Sequence, residues 1–176
     1  MNPACTIDVS LACVRWTQAC PGASDLVRSA AELAVARAKR ALGLAWHGPV
    51  ELGIVLDDDA GQRRLNRDHR GRDAPTNVLA FPAWEPRARL PSGAPVLLGD
   101  VVLALETVLR EAAQQEKLVA YHLRHLTVHG VLHLFGYDHI TEADAALMES
   151  LERSILAELG VPDPFCDTMS SIEPRG

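Results

Sequence analysis

The chain has 176 residues, 48% of them apolar, enough for a single domain to bury about 70% of its unfolded surface in one core. No apolar run approaches the ~18 residues that span a bilayer, and the N-terminus lacks the basic flank and apolar stretch of a secretory signal. A cytoplasmic protein with no membrane partner is therefore expected. The net charge of −6 denies the surface as a whole any pull on a polyanion, so nucleic-acid binding has to be local.

Thr6 to Cys13 alternates and is rich in β-formers, which predicts a first strand. Ser24, followed by Asp25, can cap an amphipathic helix that runs to Leu42 and ends at Gly43. Val50 to Leu56 is a short apolar strand. Asp58 or Asp59 then starts a helix with Leu65 turned inward and arginines outward. Thr76 to Phe81 and Val96 to Leu105 read as strands, separated by a proline-rich loop from Trp84 to Pro95. Helices follow over Glu106 to Gln115 and Val119 to Phe135. Thr141 with Asp144 begins a last helix, whose Leu147, Leu151, Ile155 and Leu159 form an apolar stripe ended by Gly160. The order β-α-β-α-β-β-α-α-α predicts an α+β fold, one domain over residues 1–164 with a mixed sheet of about four strands packed with helices. Residues 165–176 read as a flexible tail. Cys5, Cys13, Cys20 and Cys166 have no C-x-x-C spacing and read as free thiols.

The chemistry is concentrated in one stretch, His129 to His139, where three imidazoles are spaced H-x3-H-x5-H. His129 and His133 lie one helical turn apart, so their nitrogens can converge on one cation. His125 continues the stripe, but about 12 Å of helix rise separates it from His133, too far to share an ion held at about 2.0–2.1 Å. Gly136 can adopt the left-handed conformation that ends a helix and bring His139 back over the pair. Three neutral imidazoles suit one Zn2+ ion and leave its fourth position for water, the pattern of a catalytic site. Asp138 and Tyr137 are the candidates to orient a ligand through its second ring nitrogen.

The same spacing, H-x-x-x-H-x-x-G-x-x-H, matches the ligands of metzincin proteases. Those proteases carry a glutamate base directly after the first histidine, where this chain has Gly130, which speaks against peptide hydrolysis. No nucleophile elbow, phosphate loop or dinucleotide turn occurs. Arg63, Arg64, Arg67, Arg70 and Arg72 crowd one segment and supply the local positive charge. An open zinc site beside arginines favours phosphodiester over amide cleavage, because the cation generates a nucleophile near neutral pH and arginine offsets charge growing on phosphorus.

Three blocks, Leu65 to Pro82, Leu98 to Val101, and His125 to His133 continuing through Gly136-Tyr137-Asp138-His139, closely resemble the YbeY family of endoribonucleases. The resemblance implies a zinc-dependent, single-strand-specific endoribonuclease of ribosomal RNA maturation, acting at the 3′ end of the small-subunit RNA and in ribosome quality control, with zinc at His129, His133 and His139. The family's invariant arginine falls on Arg70, which takes the catalytic role. Arg67 and Arg72 are candidates for binding the RNA backbone. Ribosomal proteins or a ribosome-assembly GTPase are the protein partners the resemblance suggests. His69 stands where the family has an aromatic and reads as its replacement, with a phosphate contact as the alternative. Ala80 replaces a common serine. No general base is identifiable, so the competing expectation is a ribosome-assembly or protein-binding factor with a mainly structural zinc.

Overall fold

The computed structural model describes residues 4–70, 76–86 and 89–165. Among these, four strands form one mixed sheet and six helices pack on it, the α+β arrangement expected. The strands are β1 (Cys5–Leu11), β2 (Val50–Asp57), β3 (Val78–Pro82) and β4 (Val96–Ala104), in the order β1-β2-β4-β3. β1, β2 and β4 run parallel; β3 closes the edge antiparallel to β4. The helices are α1 (Trp16–Ala19), α2 (Ala23–Leu42), α3 (Asp59–Arg70), α4 (Leu105–Gln114), α5 (Val119–Leu134) and α6 (Glu142–Glu158).

In β2, alternation puts Val50, Leu52, Ile54 and Leu56 into the core and leaves the residues between them partly exposed. Helices α2 and α5 cover that inner face, and α6 lies against both of them. The opposite face is covered near Leu79 and Val102, where α3 packs against β4. Gly130 lets α5 approach the sheet: a Cβ there would stand 2.7 Å from Val101 Cγ1 and 3.1 Å from Val78 Cγ2.

Three expectations are corrected. The first strand stops at Leu11, and the chain turns into the short α1, placing Trp16 in the core with its indole N–H donating to the Asp57 carbonyl at 2.8 Å. Four residues are too few for a periodicity to register. The N-cap of α2 is Gly22 in the left-handed region, not Ser24. In α6, Leu147 is 63% exposed, and the buried residues are Met148, Glu152, Ile155 and Leu156. Ile155 is buried as expected, while Leu151 and Leu159 are half-buried at the edge of that face. Thr141 caps it as expected, accepting from the Asp144 N–H at 3.0 Å.

Candidate metal centre

Helix α5 supplies two of the three imidazoles, and the turn after it supplies the third. Gly136 takes φ +97°, a region closed to most side chains, while the Tyr137 N–H reaches back to the Leu132 carbonyl at 3.1 Å. The chain reverses there and lays the His139 ring 5.7 Å from His129 and 5.4 Å from His133, centroid to centroid. One nitrogen from each of the three rings lies within 4.8 Å of the other two. His125 stays apart from this group, with its ring centroid 6.3 Å from that of His129.

Each helical histidine is oriented through its other nitrogen. His129 Nδ1 donates to Glu152 Oε1 at 2.6 Å, and His133 Nδ1 donates to the Tyr137 carbonyl at 2.9 Å. With both Nδ1 atoms committed, the two Nε2 atoms face each other 3.0 Å apart. Two facing nitrogens at that distance are a donor set for a shared cation. Burial, reinforced by the neighbouring histidines, pushes His133 down to about 4, so it is neutral and able to ligate at physiological pH. The residues therefore fit a metal ion of the kind imidazoles favour.

Glu152 is the functional residue that sequence reasoning missed. It is 1% exposed, and burial alone would raise its pKa, yet His125 and His129 beside it hold it down at about 2. His125 Nε2 stands 3.6 Å from the same carboxylate oxygen, beyond hydrogen-bond length. The available signal was a single acid in register with Met148 and Ile155. Tyr137 contacts His133 through its backbone carbonyl, while Asp138 accepts from the Ile140 N–H at 3.2 Å.

The imidazoles of His129, His133 and His139 floor a cleft of about 340 Å³ whose far wall is the segment entering and forming β3, with Thr76, Asn77, Val78, Ala80 and Pro82. Behind that wall, α3 is fixed at its start by Asp59, which accepts from the Thr107 N–H and hydroxyl, each at 3.0 Å. Further along α3, the buried Gln62 accepts from the Thr76 N–H at 2.6 Å and donates to the Val102 carbonyl at 3.1 Å. Arg70 is the last residue of α3, and its side chain lies outside the described residues, as does Arg72. Arg67 is half exposed, its Nε 3.3 Å from Asp68 Oδ1, and does not line the cleft. His69 meets Phe81 edge-on at 5.5 Å, an aromatic packing contact.

Fold and site together define an α+β protein built around a three-histidine group able to hold one metal ion. Residues 21–160 match the family model described as Endoribonuclease YbeY, and the chain belongs to that family. A relative from Rhodopseudomonas palustris, named Endoribonuclease YbeY, is 54% identical over 142 residues, covering 79% of this chain and 83% of its own. Relatives of the same name from Bradyrhizobium sp. and Paramagnetospirillum magneticum are 47% and 49% identical, covering 94% and 90% of this chain and 95% and 94% of theirs. A Thermotoga maritima protein solved in solution shares the fold, with a TM-score of 0.55 at 23% identity over 92% of this chain and 97% of that one. No helix among the described residues is long and apolar enough to cross a membrane.

Proposed function

We propose that this protein is a zinc-dependent endoribonuclease that cuts single-stranded RNA in the cytoplasm, with ribosomal RNA as its substrate in small-subunit 3′-end maturation and ribosome quality control. The observation that carries the reading is the gathering of three ring nitrogens within 4.8 Å on the floor of a cleft. Family membership directs that chemistry to RNA. A zinc ion held by His129, His133 and His139 supplies Lewis acidity near neutral pH. Glu152 and the Tyr137 carbonyl keep two of the rings in the tautomer and orientation that ligation needs. Arg70, at the family's arginine position, offsets charge developing on phosphorus, while Arg67 and Arg72 draw in the strand's phosphates. Gly130 has neither a side chain to serve as a base nor room for one, so peptide hydrolysis is not supported.

No carboxylate lines the cleft among the described residues, which favours one competing reading: a ribosome-assembly factor, engaging ribosomal proteins or a GTPase, whose zinc is mainly structural. One assay separates the two. Zinc-loaded protein is incubated with a single-stranded ribosomal RNA fragment, beside His133→Ala and Arg70→Ala variants shown to be folded. Cutting by the parent and not by the variants establishes the enzyme; equal cutting by all three exposes a contaminant and leaves the assembly factor.

A further inference from the structure

Thr76 and Asn77 line the same cleft as the imidazoles, and both are held by polar groups that three different helices contribute. From α4, Glu111 Oε1 accepts from Asn77 Nδ2 at 3.0 Å. From α5, the 3% exposed His122 places Nε2 2.9 Å from the same carboxylate oxygen. From α3, fully buried Gln62 takes the Thr76 N–H. A carboxylate only accepts, so the Asn77 amide must turn its nitrogen toward Glu111, which leaves Oδ1 as its uncommitted acceptor. The Thr76 hydroxyl likewise has no protein partner among the described residues. A buried polar network is costly to build unless it is fully satisfied, and here its contacts fix the Asn77 side chain through Glu111 and the Thr76 backbone through Gln62.

One acceptor beside one hydroxyl, across a narrow cleft from a metal-binding group, complements a ligand group that both donates and accepts. The cleft's 340 Å³ is near the small end of ligand sites, which suits one unit of an extended strand. Resting on the reading of the protein as a single-strand ribonuclease, we infer that Asn77 and Thr76 read the ribose 2′-hydroxyl of the nucleotide in the cleft. The hydroxyl donates to Asn77 Oδ1 and accepts from Thr76 Oγ1. This pair selects RNA over DNA at the binding step, since a deoxyribose leaves both protein groups facing a partner that is missing.

Fluorescence anisotropy of zinc-loaded protein with one unstructured labelled oligonucleotide tests this. The oligonucleotide is made as RNA and as uracil-containing DNA, so that only the 2′-hydroxyl differs, and RNA integrity is checked on a gel after each titration. The parent binds RNA more tightly than DNA. Asn77→Ala and Thr76→Val each lower that ratio roughly 3- to 10-fold, the worth of one neutral hydrogen bond, by weakening RNA and sparing DNA. Zinc content and melting temperature of Thr76→Val stay at parent values, and this variant carries the test should Asn77→Ala fold poorly. A parent with no RNA preference, or variants that lose RNA and DNA binding equally, overturns the assignment while leaving ribonuclease activity standing. A parent that neither binds nor cuts RNA overturns the underlying function, and the inference with it.

Discussion

Replacing Glu152 with alanine removes a side-chain partner of His129 Nδ1, a 2.6 Å contact made by a carboxylate that is 1% exposed. A hydrogen bond to a charged group contributes about 1.5–3 kcal/mol. At about 1.4 kcal/mol per decade of equilibrium constant, the ring's lost orientation and basicity amount to a roughly 10- to 100-fold weaker metal affinity. That range coincides with the effect of losing such a supporting carboxylate elsewhere. Glu152→Gln keeps an acceptor of the same shape but surrenders the charge, so it falls between parent and alanine. Zinc competition against a chromophoric chelator measures all three. An affinity for Glu152→Ala within a factor of two or so of the parent, far below the ~10-fold minimum, would refute the claim that this carboxylate tunes the site.

Adding a methyl group at position 130 is expected to destabilise the fold by about 1–3 kcal/mol, because the new Cβ would meet Val101 and Val78 side chains at 2.7 and 3.1 Å; urea unfolding of Gly130→Ala reads this. Gly136→Ala imposes a left-handed strain of about 1–3 kcal/mol at φ +97° and also weakens zinc binding, since that residue turns His139 back toward the pair; chelator competition and thermal melting read the two effects separately. Burial holds His122 below its ordinary 6.5, outweighing the pull of Glu111. The unfolded chain therefore binds the proton first, so this residue's stability contribution is complete above 6.5 and declines as pH falls from there toward the lower folded value. Urea midpoints at about pH 7.5 and pH 5.5 should differ more for the parent than for His122→Gln; identical differences would refute it.

The three-histidine group is legible because its information is local. A helical turn joins His129 to His133, and one glycine reverses the chain to His139. Glu152 is not legible, because its contact with His129 depends on two helices meeting, which no period along one helix encodes. The alternation of helices and strands was plain from pattern, but the placing of β3 outside β4 arises from tertiary pairing that no local period encodes. Trp16 was hidden for a different reason, its helix being shorter than the window needed to see it. The grip on Thr76 and Asn77 draws on Gln62, Glu111 and His122, residues scattered along the chain and united only by folding.

That the three imidazoles come from one short stretch also bears on how the chain acquires its cation. Closing so small a loop costs little entropy, so a helix and its following turn can capture zinc while the sheet is still unformed. Glu152 comes from a helix later in the chain, so its contact with His129 would form only once that helix docks. If zinc is the ion held, refolding with zinc present should accordingly pass through an early metal-bound species of modest affinity.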